Sequence, residues 1–290
     1  TEIWPNLLYT LHKEQVPVFL ANARLSERST QQYAKLGPVM PWLLSFYQLI
    51  LTQADHDAAA FSRLGMRAER LKVVGNVKYD VTLPAKQLEQ GLVLKRSLGS
   101  RPVWIAASTH AGEDELLLEA HAALLQSHPE ALLIVVPRHP ERFDAVAAQV
   151  LASQLACQRR SQSLQVDEAT QVYVADTMGE LMLLFAASDM VFMGGSWVNV
   201  GGHNFLEPAL LKKPLASGPC LHNFIAMKEH LLAVGGLQIV SSPAELVSQL
   251  QLWIDDAALR QKQGEAAYSI IEKNQGAVSR LVEIIGSSLP

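Results

Sequence analysis

The sequence predicts an α/β protein made of two parallel-sheet, Rossmann-like domains, the first of them incomplete. Three observations carry that expectation. Short apolar runs alternate with helix-length amphipathic stretches along most of the chain. The alternation is interrupted once, by Pro84 and a polar stretch at residues 86–90. The chain also opens directly on Thr1-Glu2-Ile3-Trp4-Pro5, which reads as the end of a strand, with no initiating Met. Strands that alternate with helices imply a parallel sheet. A linker is therefore expected near residues 80–90, dividing the chain into domains 1–83 and 84–290, with an N-terminal part missing ahead of Thr1.

In the first domain residues 17–21 read as a strand, 27–36 and 42–47 as helices, and 49–52 as a second strand. Residues 55–64 read as a helix stopped by Gly65, and 71–74 as a strand closed by Gly75-Asn76. In the second domain strands are expected at 103–107, 131–136, 172–175, 190–193, 214–217 and 238–240. Helices are expected at 113–127, 141–154, 179–187 and from Asn204 to Leu211. From Pro243 to about Ile285 the pattern is helical without further strands, two or three amphipathic helices in all. Regular alternation of this kind marks a Rossmann-like domain.

Composition bounds the function. A chain of 290 residues with 49% hydrophobic content supplies two cores of ordinary size. A net charge of −4 gives no basic excess for a nucleic-acid partner. Cys157 and Cys220 lie far apart with no metal-type or disulfide spacing, which fits a reducing compartment. No apolar run approaches the roughly 18 residues of a membrane-spanning helix, and no signal peptide is visible, so this stretch reads as soluble. Neither Gly-x-Gly-x-x-Gly nor a P-loop occurs, which disfavours dinucleotides and phosphoryl donors, and no spacing argues for a metal.

Ligands of open α/β sheets bind outside the carboxyl ends of the strands, so residues just after each strand are the candidates. Ser108-Thr109-His110-Ala111-Gly112-Glu113 offers hydroxyls and free N–H groups for a phosphate, or an ordinary helix cap. In Pro137-Arg138-His139-Pro140-Glu141-Arg142 the planar fork of Arg138 suits a phosphate or a carbonyl edge. Asp176-Thr177-Met178-Gly179-Glu180-Leu181 combines a cap, a glycine that permits close approach and a carboxylate in the first turn. The fourth place is Met193-Gly194-Gly195-Ser196-Trp197-Val198-Asn199-Val200-Gly201-Gly202-His203-Asn204-Phe205-Leu206-Glu207-Pro208: a strand end, two glycine pairs and a helix start, which suits a phosphate. Asn204 and Glu207, on one helical turn, read either as a clamp for ribose hydroxyls or as a capping box. Together the four places hold what a nucleoside monophosphate requires.

Motifs in a fixed order extend this along essentially the whole chain: Thr1-Glu2-Ile3-Trp4-Pro5-Asn6, Ala21-Asn22-Ala23-Arg24-Leu25-Ser26, Gly75-Asn76-Val77-Lys78-Tyr79-Asp80, and the four stretches above. They resemble the Kdo transferases, bacterial enzymes that move 3-deoxy-D-manno-octulosonic acid (Kdo) from CMP-Kdo to a lipid A precursor. The resemblance implies a GT-B glycosyltransferase, with two Rossmann-like domains facing a central cleft and the last helices, about 270–290, packing back on the first domain. By motif it implies that Pro137, Arg138, Met178, Gly179, Glu180, Asn204, Phe205, Leu206 and Glu207 hold CMP. It implies that Glu2 and Lys78 stabilise the transition state of an inverting transfer. CMP-Kdo is then the donor substrate, with no metal or other cofactor, and the acceptor is the lipid A precursor lipid IVA. No nucleic acid is a partner.

The same resemblance implies lipopolysaccharide synthesis at the cytoplasmic face of a Gram-negative inner membrane, reached through the missing N-terminal part. Arg24, Arg28 and Lys35 are candidates to border acceptor phosphates. Two departures stand out. Phe205 occupies a position where the family usually has Pro, and the family's general-base glutamate belongs to a glycine-containing loop upstream of Thr1. General-base help is worth ~10²–10⁴ in rate, so the fragment alone is expected to bind CMP and transfer little or no Kdo. Two alternatives remain: another CMP- or UDP-sugar transferase of the GT-B type, sialyltransferase-like for example, or an inert nucleotide-binding module. Intact Glu2, Lys78, Arg138, Asn204 and Glu207 speak against the second.

Overall fold

The computed structural model describes residues 3–289. They form two compact units, residues 3–80 with 273–289, and residues 81–272. The first unit begins with α1 (Pro5–Lys13), β1 (Phe19–Ala23), α2 (Glu27–Ala34), α3 (Val39–Leu44), β2 (Leu49–Thr52), α4 (Asp55–Arg63) and β3 (Leu71–Val73). The sheet is parallel in the order β1-β2-β3. Its core gathers Leu20, Met40, Leu44, Tyr47, Ile50 and Phe61. Buried Asp57 of α4 accepts the Leu25 N–H at 2.9 Å and so fixes the chain where it leaves β1.

The second unit comprises α5 (Ala85–Ser97), β4 (Val103–Thr109), α6 (Asp114–Leu124), β5 (Leu132–Pro137), α7 (Phe143–Ala152), β6 (Cys157–Arg159), β7 (Val172–Val174), α8 (Leu181–Ala187) and β8 (Met190–Met193). It continues through α9 (Leu206–Leu210), β9 (Leu215–Ser217), α10 (Ile225–Ala233), β10 (Leu237–Ile239), α11 (Pro243–Asp255) and α12 (Ala257–Asn274), whose last two residues fall in the first unit. The last helix, α13 (Ala277–Ser288), lies in the first unit. There the Asp80 carboxylate accepts the N–H groups of Gly276 and Val278 at the start of α13, at 2.5 and 2.6 Å, a favourable place for a negative charge.

Seven parallel strands run in the order β10-β9-β8-β4-β5-β7-β6. Each central strand is a continuous apolar run because helices cover both faces of the sheet, and every residue of β4 and β8 is buried. The chain goes from β4 outward through β5, then returns to place β8 on the other side of β4. The order reverses there, so the crevice of this sheet opens at the carboxyl ends of β4 and β8.

Three elements differ from expectation. The stretch 86–90 is no linker but the first half of α5, whose Pro84 is the N-cap residue rather than a break; Lys, Gln, Leu and Glu are good helix formers. The strand β6, Cys157-Gln158-Arg159, is a half-exposed sheet edge with no apolar run to mark it. Pro5 starts a helix at its N1 position, where a missing N–H costs nothing.

Candidate functional site

Four loops converge at the carboxyl ends of β4, β5, β7 and β8. At the end of β4 the pairing with β5 slips by one residue between Ala107 and Thr109, and Ser108 adopts a left-handed φ of 57°. The Arg138 N–H then returns to the Thr109 carbonyl at 3.0 Å, and the Gly194 N–H to that of Ala107 at 2.8 Å. Gly194 is required there: a Cβ would stand 2.8 Å from the Ser108 carbonyl oxygen and 2.9 Å from the Thr109 Cα. The β4 and β8 loops thus touch through backbone.

Glu113, the residue before α6, holds that arrangement together. It is fully buried, and its carboxylate accepts the N–H groups of His110 (3.0 Å), Gly195 (2.7 Å), Ser196 (2.9 Å) and Trp197 (2.9 Å). The second glycine pair is likewise engaged, with Gly201 and Gly202 both donating to the Gly195 carbonyl. This corrects the expected phosphate seat: the amides of the two glycine pairs are tied up inside the protein. At the helix start the amides of Asn204, Phe205 and Glu207 find no acceptor among the described residues, as do those of Val198, Asn199 and His203 in the loop before it.

The Asn204-Phe205-Leu206-Glu207 stretch divides by side chain. Helix α9 starts at Leu206 rather than Asn204. The Asn204 Oδ1 accepts the Leu206 N–H at 3.2 Å, and the residue is exposed. Phe205 and Leu206 point inward, Phe205 fully buried with its ring edge-on to Phe224, so these two offer a ligand only backbone. Glu207 does not reach back to complete a capping box. Its half-buried carboxylate receives no hydrogen bond among the described residues, and burial pushes its pKa up.

The other candidates divide in the same way. Pro137 is the buried end of β5. Arg138 is exposed, with no partner for its guanidinium among the described residues. Arg142, four residues on, is structural: it donates to the Thr109 carbonyl at 2.6 Å and pairs with buried Asp114. Met178 projects into solvent, 62% exposed. The Gly179 carbonyl is held by the Gln87 side chain at 2.9 Å. Glu180 is engaged by the Arg160 guanidinium at 2.9 and 3.1 Å and by the Thr177 hydroxyl; Arg160 keeps its carboxyl below the usual carboxylate range. What the stretch Met178–Glu180 leaves open is therefore the Met178 side chain and backbone.

Three histidines stand among these groups. The rings of His110 and His203 lie end to end and nearly coplanar, with centroids 5.1 Å apart and Nε2 atoms at 2.8 Å, and His139 meets His110 edge-on at 5.3 Å. In the first unit Lys78 is exposed; its own N–H is held by the Asn76 side chain at 3.0 Å, and its ammonium has no partner among the described residues. Beside it the Asn22 side chain accepts the Val77 N–H at 3.3 Å, which joins the Ala21–Ser26 and Gly75–Asp80 motifs. Glu2 lies outside the described residues. Among the described residues no cluster of His, Cys, Asp and Glu is arranged to hold a metal, and no helix is long and apolar enough to cross a membrane.

Comparison with known proteins now decides the family. A family model described as 3-deoxy-D-manno-octulosonic-acid transferase (kdotransferase) matches residues 1–81. A 3-deoxy-D-manno-octulosonic acid transferase of Haemophilus influenzae is 39% identical over 288 residues, which is 98% of this chain and 67% of the relative. The chain belongs to the Kdo transferase family. The transferase of Bordetella pertussis is 36% identical, again over 98% of this chain and 67% of its own. Among solved structures, the C-terminal CMP-Kdo binding domain of WaaA from Acinetobacter baumannii is 34% identical with a TM-score of 0.63, covering 65% of this chain and 99% of that one. The two parallel α/β units are accordingly those of a GT-B glycosyltransferase.

Sequence reading missed Glu113 and the His110–His203 pair in this Kdo transferase. An acid before a helix looks like an ordinary cap, and three of the four partners of Glu113 lie 82 to 84 residues away. The only available signal was that Glu113 and the first glycine pair follow adjacent strands at the point where strand order reverses.

Proposed function

We propose that this protein is an inverting glycosyltransferase that moves Kdo from CMP-Kdo to a lipid A precursor in lipopolysaccharide synthesis. The observation that carries the donor assignment is the set of groups at the β4/β8 crevice with bonding capacity to spare: exposed Arg138, exposed Asn204, and the Glu207 carboxylate with no donor among the described residues. An unpaired guanidinium suits a phosphate. An amide and a carboxylate, each with lone pairs to spare, suit the two hydroxyls of a ribose. Met178 and the backbone around Gly179 lie across the sheet as a platform for a base. The CMP-Kdo binding domain of A. baumannii WaaA, similar in sequence and structure to this chain, supports CMP over other nucleotides.

The remainder of the reading belongs to the same proposal. An acceptor hydroxyl attacks the anomeric carbon and CMP departs, Lys78 countering charge on the leaving phosphate and Glu2 acting near the reacting centre. The phosphate is met by cationic side chains, so transfer is expected to need no metal. The acceptor is lipid IVA, reached at the cytoplasmic face of the inner membrane, with Arg24, Arg28 and Lys35 toward its phosphates. Because the resemblance assigns the general base to a residue outside Thr1–Pro290, these residues alone are expected to bind CMP with little turnover.

Isothermal titration in EDTA tests the donor site. CMP is expected to bind in preference to UMP, and an Asn204→Ala/Glu207→Ala double variant to lose at least tenfold in affinity, about 1.4 kcal/mol or more. Equal affinity of wild type and double variant would remove Asn204 and Glu207 from the site; preference for UMP would point instead to a UDP-sugar transferase.

A further inference from the structure

The three histidines have no task in the reading above. The His110 and His203 planes lie within 9° of each other and their Nε2 atoms are 2.8 Å apart. A hydrogen bond between two imidazole nitrogens holds one proton: one ring donates, the other accepts, and both are neutral. The charged and titratable groups facing the pair are Arg138 and His139 from the loop after β5, Arg142 before α7, and Glu113 before α6. Glu113 is already spent on four backbone N–H groups. Burial first, and then the cations, disfavour further charge on the rings; His203 is held down to about 4.

We infer that His110 and His203 act as one positioning pair that stores a proton for the nucleotide phosphate: seating a phosphate dianion beside Arg138 draws a second proton onto the pair, and release of the nucleotide returns it to solvent. The inference rests on the nucleotide reading of this crevice. The added proton goes to Nδ1 of the ring whose Nε2–H donates. That ring becomes an imidazolium, and the N–H···N bond persists in charge-assisted form. An adjacent anion offsets the repulsion from Arg138 and His139, the kind of neighbour that raises a histidine pKa. In a sugar nucleotide the linking phosphate carries one negative charge, and the second appears only as the donor is cleaved. The pair therefore favours the leaving group over the intact donor, as catalysis by differential binding requires.

Calorimetric titration of the whole chain with CMP, in buffers of different ionisation enthalpy at about pH 7.5, counts the protons. A phosphate monoester has its second pKa near 6, so at that pH CMP is nearly all dianion and uptake reports on the protein. An adjacent opposite charge raises a pKa by about 1–3 units, which takes His203 from about 4 to at most about 7. The expected result is therefore uptake of up to about a quarter of a proton per CMP at about pH 7.5, with affinity weakening by up to about twofold between roughly pH 7 and 8. His110→Gln and His203→Gln are each expected to abolish both the uptake and the pH slope, while His139→Gln keeps them. CMP binding with no proton uptake and flat affinity in the wild type overturns the inference and leaves the nucleotide reading standing. So does an unchanged slope in both glutamine variants. Failure of the wild type to bind CMP overturns the nucleotide reading and this inference with it. The wild-type proton count needs no variant to fold.

Discussion

A buried carboxylate with no cation beside it is costly unless hydrogen bonds replace the water it has lost. Glu113 meets that condition with four backbone N–H donors, three of them from the loop after β8. A single side chain thus does for the glycine loop what a bound anion does in other nucleotide folds, and it frees the loop from needing a ligand to keep its shape. Glu113→Gln places an NH₂ group against N–H donors that had faced oxygen. Bonds to a charged acceptor are worth about 1.5–3 kcal/mol each, so the variant is expected to unfold at lower urea, with about 2–4 kcal/mol lost. CMP affinity should fall as well, because His203 and Asn204 follow the same loop. An unchanged urea midpoint would mean that the loop is shaped by its glycines alone.

Among elements, the central strands were legible because a strand covered on both faces is a continuous apolar run. The runs at 49–52 and 190–193 coincide with β2 and β8, and the other expected strands differ at their ends by one or two residues. Edges and contacts at long sequence distance were not legible. β6 has no apolar run, and the polar start of α5 reads as a linker because its buried face depends on α8, nearly a hundred residues on. At the candidate site, local sequence shows which residue types follow each strand, such as Arg138 and Asn204, and gives no sign of remote partners such as Arg160 for Glu180 or the Glu113 carboxylate for the first glycine pair. Gly91 of α5 is the test of the α5–α8 contact. A Cβ there would meet the Ala186 Cβ at 2.6 Å and press on the Leu183 carbonyl oxygen. Gly91→Val is expected to cost about 1–3 kcal/mol by overpacking, read as a lower urea midpoint with an unchanged slope. A midpoint equal to wild type would show that the two helices part without penalty.

At the scale of the whole molecule, stability against acid turns on a polar group inside the larger core. His121 of α6 is fully buried. Its Nδ1 accepts the Trp104 indole N–H at 3.1 Å, and its Nε2 faces the Gln171 carbonyl at 2.8 Å. That geometry makes Nδ1 the bare nitrogen and Nε2 the N–H donor, and it bridges β4, α6 and the start of β7. Burial depresses the His121 pKa to about 4, against about 6.5 for an unfolded histidine. Between those values the unfolded chain binds the proton that the fold refuses, so the stability contributed by neutral His121 is whole above about pH 6.5 and declines as pH falls toward 4. The difference is about 3 kcal/mol. Protonation at Nδ1 must break the bond from Trp104, which places the loss at the centre of the sheet carrying the candidate site. His121→Gln keeps one acceptor and one donor but does not titrate. It is expected to be less stable than wild type at about pH 7.5 yet to lose less between pH 6.5 and 4.5, measured as urea midpoints across that range. Parallel curves for the two proteins would assign the acid sensitivity of the fold to groups other than His121.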